Sequence, residues 1–268
     1  MISVNEAINT LLAGSHRLVE TETVPLGSAR GRTLAADLAS PLDVPPADNS
    51  AMDGYALRHA DWPGPESELP IGLRITAGTA PGELAPGKAA RIFTGAEVPQ
   101  GADTVVMQEN CEGTDTTVRI LELPARGANI RPRGQDVKLG QTVLRAGQRL
   151  RPQEVGLAAS LGAPELPVFK RLRVAVLSTG DELVEPGSEA GPGQIYNSNR
   201  YTMNAQLAAW GFEVVDLGVA RDDFEAVRSR MLEAAEAADV IVTSGGVSVG
   251  EEDHVKAVVA SLGSLDLW

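Results

Sequence analysis

A single cysteine, Cys111, rules out an intrachain disulfide framework and any cysteine-built zinc cluster. With no partner residue at a recognisable site spacing, this thiol reads as a small core side chain rather than a nucleophile. Aromatic residues make up only 4% of the chain, so its cores must be built from Val, Leu and Ala, for which an apolar share of 43% is ample. Positive charge is also scarce: 23 Lys and Arg stand against 36 Asp and Glu, a formal net charge of −13. That balance argues against non-specific binding of nucleic acid or of an anionic membrane, since both need a basic face. No apolar run approaches the roughly 20 residues needed to span a bilayer. The opening residues, Met1-Ile-Ser-Val-Asn-Glu6, lack the basic-then-apolar pattern of a signal peptide. The expectation is a soluble, cytoplasmic protein with no nucleic-acid or membrane partner.

A length of 268 residues suggests roughly two domains. Residues 3 to 20 read as an amphipathic helix: Ser3 and Glu6 form a capping box, and Ala7, Ile8, Leu11 and Leu12 share one face, for which core packing is expected. His16 falls near the helix end as a surface residue. Residues 21 to 145 break into short apolar runs separated by Gly and Pro, the pattern of a β-rich domain with close turns. Residues 146 to 167 return to helix, with Pro152 at a helix start and Glu154 to Leu161 as the body. The expected division is a 1–169 N-terminal and linker region (helical over about 1–20 and 146–167, β-rich over about 21–145) and a 170–268 α/β domain.

In the second region three buried-looking strands each deliver acids. Leu172 to Leu177 leads into Ser178-Thr-Gly-Asp-Glu-Leu183, and Phe212 to Leu217 leads through Gly218 to Arg221-Asp222-Asp223. Asp239 to Thr243 leads through Ser244, Gly245, Gly246, Val247 and Ser248 to Glu251-Glu252-Asp253. Helical patterns at Ser198–Trp210, capped by Ser198 or Asn199, and at Asp222–Ala238 separate them. Strand-helix alternation of this kind forces parallel pairing, and ligands then sit outside the strands' carboxyl ends. Glycine turns feeding helix starts gather amides around an oxyanion, and acids beside them suit a phosphate that arrives with a divalent cation. An ordinary tight connection with an acidic first helical turn is the alternative.

Three loops of the β-rich region also stand out. Pro45 to Ala56 crowds Asp48, Asn49, Ser50 and Asp53 before a strand starting near Tyr55; it is either a rigid loop aiming Asp53 at a ligand or a turn rich in local Asx bonds. Thr94 closes the run Ile92-Phe-Thr-Gly-Ala96 as a strand-end hydroxyl. Arg126 to Asp136 gathers three arginines and two glycines, an anion-receiving surface or a solvated loop.

Taken in order, these stretches resemble the molybdopterin molybdenumtransferases, the MoeA and gephyrin E-domain family. The resemblance rests on Asn49-Ser-Ala-Met-Asp-Gly-Tyr-Ala56, Ile92-Phe-Thr-Gly-Ala96, Gly127-Ala-Asn-Ile-Arg131 with Gly134-Gln-Asp136, Ser178-Thr-Gly-Asp-Glu-Leu183, Gly193-Gln-Ile-Tyr-Asn-Ser-Asn-Arg200 and Thr243-Ser-Gly-Gly-Val-Ser-Val-Gly250. It implies α/β plus β-rich architecture: N-terminal helical segments with an inserted β-rich domain, then a parallel three-layer molybdopterin-binding domain incomplete at its C-terminus. It further implies insertion of molybdate into adenylylated molybdopterin with release of AMP, aided by Mg²⁺. The family's catalytic residues fall on Asp53, Thr94, Glu182, Asp222 and Asp253. Ligand contacts fall on Gly180, Asp181, Ser198, Asn199, Ser244, Gly245, Gly246, Val247, Ser248, Lys256 and Arg131, with Asp181 and Asp253 holding the metal. A homodimer sharing its active site between subunits is implied, with other molybdenum-cofactor biosynthesis proteins as possible partners. Gln135 stands where the family commonly has Glu, and Asn197 where Asp is common. The family continues past Trp268 with a Pro- and Gly-rich loop and a small β domain. Two further readings stay open: a non-catalytic pterin- or nucleotide-binding dimerisation module, and a stand-alone nucleotide hydrolase, which leaves the Asn49–Ala56 and Arg126–Asp136 loops without a role.

Overall fold

A computed structural model describes residues 3–246 and 254–265. The chain divides into two compact units, Asp37–Ala146 with Gly156–Ala163, and Met1–Ala36 with Gly147–Val155 and Pro164–Trp268. The chain position 169/170 falls inside the second of these.

The β-rich unit is organised around a six-stranded sheet. Its strands are β1 (Gly54–Leu57), β2 (Glu68–Ile75), β3 (Ala89–Ile92), β4 (Thr104–Met107), β5 (Cys111–Gly113) and β6 (Thr117–Ile120), in spatial order β4-β1-β3-β2-β6-β5. All pairs are antiparallel except β2 with β3. Every residue of β1 is buried, and alternate side chains feed two cores. Tyr55 and Leu57 pack with Val106 and Ile120, while Ala56 packs with Ile92 and Val105. Both faces of this strand are covered, so a near-continuous apolar run replaces alternation.

In the other unit, β7 (Arg173–Thr179), β8 (Glu213–Ala220) and β9 (Val240–Ser244) form a parallel sheet in the order β8-β7-β9. Val174 and Val176 of β7 pack with Leu207 and Met203 of the helix Ser198–Ala209. Leu177 lies on the opposite face with Val227 and Met231 of the helix Phe224–Ala237 and with Val255 and Val258 of the helix His254–Leu262. The result is three layers, helix-sheet-helix. Strand β8 runs past Gly218 to Ala220 because a bulge absorbs one residue: Val176 pairs with Asp216 but Ser178 with Val219.

Several expectations are corrected. The first helix, Val4–Gly14, has its capping box, with Ser3 N–H donating to Glu6 Oε2 at 2.7 Å and Glu6 N–H to Ser3 Oγ at 3.3 Å. It does not join a core: Val4, Ile8, Leu11 and Leu12 are 75, 47, 63 and 66% exposed. Local pattern made the helix; nothing among the described residues covers its face. Within the expected helical stretch 146–167 only Pro152–Ser160 is helix, while Glu165–Phe169 is a strand paired antiparallel with Thr21–Pro25. Buried Leu166 and Val168 alternate with outward residues there, a period of two that overrides the helical reading. Helix Ser198–Ala209 is capped by Asn197 Oδ1, which accepts from Arg200 N–H at 3.3 Å, rather than by Ser198 or Asn199.

Glu154 is a buried carboxylate with a structural task. It takes a hydrogen bond from Arg151 N–H at 2.8 Å and an ion pair from the Arg151 guanidinium at 2.5 Å, closing the first turn of its helix. The Arg151 guanidinium, ahead of the opposing effect of burial, pulls its pKa down to about 2. The folded chain therefore keeps Glu154 ionised where the unfolded chain, near 4.5, takes up a proton. Its stabilising effect is complete above pH 4.5 and is lost as pH falls toward about 2. Glu154→Gln should lower stability at pH 6 and shrink the loss between pH 6 and pH 3, read from urea unfolding at each pH. An acid limb as steep as the parent's would reject this assignment.

Candidate active site

The carboxyl ends of β7, β8 and β9 bring together most of the α/β residues singled out above. Asp181 N–H donates to Asp222 Oδ2 and Asp222 N–H to Asp181 Oδ1, both at 3.3 Å, so the loops after β7 and β8 are tied to each other through their acids. On the other side, Asn199 Nδ2 donates to Ser244 Oγ at 3.1 Å, joining the start of helix Ser198–Ala209 to the end of β9. Around the Asn199–Ser244 contact lies a cleft of ≈ 160 Å³ lined by Glu182, Ser198, Asn199, Ser244 and Gly245, together with Thr179 and Asn197.

The glycines here are demanded by geometry. Gly180 sits at φ +145, and a Cβ on it would lie 2.6 Å from Glu182 Oε2. Gly245 sits at φ +94, where a Cβ would come within 2.5 Å of the Thr179 carbonyl oxygen. A side chain at either would displace a cleft wall, so both loops keep their backbone bare.

Two cleft residues escaped the sequence-based candidate set. Thr179 and Asn197 are buried, at 5 and 2% exposure, and Thr179 Oγ1 and Asn197 Nδ2 have no hydrogen-bond partner among the described residues. Orphaned buried polar atoms are costly and suit a polar ligand that supplies the partner. A signal for each existed in the sequence: Thr179 is the last residue of a strand feeding a Gly turn, and Asn197 directly precedes a helix.

Lys256 is exposed on the helix His254–Leu262. Val247, Ser248 and Asp253 lie outside the described residues. Among the described residues no group of three His, Cys, Asp or Glu side chains is placed to hold a metal ion. Mg²⁺ commonly uses only one or two carboxylates plus substrate phosphates, so of the two expected metal residues Asp181 lies at the strand ends while Asp253 lies outside the described residues.

In the β-rich unit the fold brings three separated stretches together. Asn49–Ser50 pairs with Ile130–Arg131, Ala51 N–H donates to Asn129 O at 2.9 Å, and Gly95 N–H to Ser50 O at 2.8 Å. The consequence is a direct meeting of Asp53 and Thr94: Asp53 Oδ1 accepts from both the N–H and the Oγ1 of Thr94, each at 2.7 Å. The Thr94 amide first, then its hydroxyl, hold the Asp53 carboxyl below its ordinary pKa. Arg91 steadies the same turn, donating to Gly54 O at 3.0 Å while its guanidinium stacks 5.0 Å from Tyr55 and 4.7 Å from Phe93. Arg131 and Arg133 are each bound to a carboxylate at 2.6 Å, Asp136 and Asp43 respectively. Cys111 is half-buried, its thiol pushed up to about 11 by burial, and so is protonated and unreactive at neutral pH.

Residues 2–162 match the MoeA N-terminal region (domain I and II), and residues 175–267 match a probable molybdopterin binding domain. All of the chain is 42% identical to 67% of a molybdopterin molybdenumtransferase of Haemophilus influenzae. Over 91% of its length it is 41% identical to 57% of the molybdopterin molybdenumtransferase of Nostoc sp.. The crystal structure of a molybdopterin biosynthesis MoeA protein from Pyrococcus horikoshii matches with a TM-score of 0.84 at 34% identity, covering 91% of this chain and 66% of that one. The chain thus spans 57 to 67% of the length of these curated relatives, and it belongs to the MoeA family of molybdopterin molybdenumtransferases.

Proposed function

We propose that this chain acts in molybdenum cofactor biosynthesis, inserting molybdate into adenylylated molybdopterin with release of AMP. The observation that carries the reading is the cleft at the carboxyl ends of the parallel sheet, where Thr179 Oγ1 and Asn197 Nδ2 lack partners among the described residues close to the Asn199–Ser244 contact. Neutral donors in the cleft suit the nucleotide and pterin, and Glu182 in its lining, with Asp181 and Asp222 at the same strand ends, suits chemistry at a phosphoanhydride. Asn197, Thr179, Ser198, Asn199 and the turn amides at Gly180 and Gly245 orient the substrate. Glu182 and Asp222 position the attacking group or take its proton. Asp181 and Asp253 would hold Mg²⁺, which when bound supplies neutralisation of phosphoanhydride charge. Lys256 and Arg131 add positive charge toward anionic substrates, Arg131 by exchanging its Asp136 partner.

The same reading takes the chain as a cytoplasmic homodimer, in which Asp53 and Thr94 of one copy serve the cleft of the other. The exposed apolar face of helix Val4–Gly14 supports self-association. The test is AMP release from adenylylated molybdopterin with molybdate and Mg²⁺, run beside Glu182→Ala. Release well above that control is expected. Binding of adenylylated molybdopterin without AMP release would replace the enzyme by a pterin- and nucleotide-binding module.

A further inference from the structure

The amino ends of the same sheet carry a second concave surface that the proposed chemistry does not use. Leu172 and Phe212, the residues just before β7 and β8, line it, so it lies at the opposite end of the strands from Asp181 and Asp222. Two clefts of ≈ 470 and ≈ 330 Å³ meet there, sharing Gly31, Arg149, Arg171 and Gly211. Each is within the size range of small-molecule sites.

The charge of this groove departs from that of the chain. Arg17, Arg30, Arg149 and Arg171 line it with Lys170, and no carboxylate lines either cleft. The protein as a whole carries −13. Elsewhere its arginines are commonly matched, as in Arg119–Glu112, Arg126–Asp103, Arg173–Asp239 and Arg200–Asp216. Arg17, Arg30, Arg149 and Arg171 form no ion pair among the described residues, and all four are exposed. In the adjoining cleft that shares Arg171, Glu20 is taken by Lys170, Glu22 by Arg32 and Asp239 by Arg173, which leaves Glu213 as its one carboxylate outside an ion pair among the described residues. Unmatched arginines converging from four separate chain segments repel one another, and an anion relieves that repulsion.

The groove also offers an aromatic surface. Trp210 is 56% exposed there, with Phe212 edge-on at 6.4 Å and 88°. A planar ring left half in water beside several guanidinium groups suits a ligand that is both flat and phosphorylated.

We propose that this groove is a second binding site, for a nucleoside polyphosphate: the phosphates on Arg149 and Arg171, with Arg17 and Arg30 at the flanks, and the base against Trp210. The experiment is calorimetric titration of the whole chain with ATP, inorganic tripolyphosphate and adenosine, without Mg²⁺ and at fixed salt. ATP should bind most tightly. The double variant Arg149→Glu/Arg171→Glu should weaken both ATP and tripolyphosphate by about tenfold or more. Trp210→Ala should weaken ATP but not tripolyphosphate. Asn199→Ala, in the cleft at the other end of the sheet, should leave ATP affinity within about twofold; loss there instead would place ATP in the proposed substrate cleft and overturn this site while leaving that one intact. Arg17→Glu/Arg30→Glu provides a second charge reversal on exposed positions, so a folding defect in one pair cannot imitate the result. ATP binding unchanged in both double variants, or none at millimolar ligand, would overturn the proposal. A change of oligomeric state in the variants without a change in ATP affinity would make the groove a contact between copies instead.

Discussion

Asp53→Asn should reduce AMP release by about 10²- to 10⁴-fold, the range a positioned acid or base contributes. The geometry makes the change specific. Asp53 Oδ1 accepts two hydrogen bonds, from the N–H and the hydroxyl of Thr94. An amide keeps the size but loses the charge, and only its oxygen can face these two donors, which leaves an NH₂ group where the carboxylate had its second oxygen. Thr94→Ser keeps both donors and should stay within about threefold of the parent. Thr94→Val removes one donor of the pair and should fall between the two. Asp53 lies in the β-rich unit and the Asn199–Ser244 cleft in the α/β unit, so affinity of Asp53→Asn for adenylylated molybdopterin should change far less than kcat. The readouts are steady-state AMP release and equilibrium binding. Turnover within about threefold of the parent would remove Asp53 from the reaction, and equal loss of binding and kcat would make its role structural.

Gly54→Ala should cost about 4 kcal/mol or more, the range reserved for backbone or core disruption. Gly54 opens β1 and pairs with Met107 of β4 on one side and with Ile92 of β3 on the other. A Cβ on Gly54 would sit 1.9 Å from Val106 O and 2.9 Å from its carbonyl carbon. Both are backbone atoms of β4, the edge strand paired with β1, which cannot retreat without opening that ladder and the cores to which Val105 and Val106 belong. Gly27→Ala is the control: nothing lies within 4 Å of its Cβ position, and its stability should stay within about 0.5 kcal/mol of the parent. Urea unfolding followed by Trp62 fluorescence reports on this unit, because Trp62 packs on its core. A midpoint for Gly54→Ala near that of Gly27→Ala would show that the sheet can shift to accept the methyl group. Because Asp53 is the adjacent residue, Gly54→Ala should also lose the Thr94 contact and with it turnover.

The two effects share a cause that explains why local pattern singles out the acid, whereas Thr94 comes only from the family resemblance. Asp53 stands out as an acid in a Pro-stiffened polar loop. That it meets Thr94 depends on strand pairings between residues about forty positions apart, which no local pattern contains. Read alone, Thr94 is a strand-end hydroxyl and nothing more.

What the sequence determined by itself is what depends on short-range physics. Apolar β-branched runs ending in glycine turns specified β7, β8 and β9 and their parallel pairing, since alternating helices leave no short return path. The Ser3–Glu6 capping box and the Pro152 helix start are likewise properties of four consecutive residues. Tertiary structure decided whatever depends on partners distant in the chain. It left the apolar face of Val4–Gly14 uncovered, turned Glu165–Phe169 into a strand by supplying Thr21–Pro25 as its partner, and matched Arg131 and Arg133 to carboxylates. It also gathered Arg17, Arg30, Arg149, Arg171 and Trp210 into one groove. Burial and charge compensation are sums over neighbours in space, and a sequence lists neighbours along the chain only.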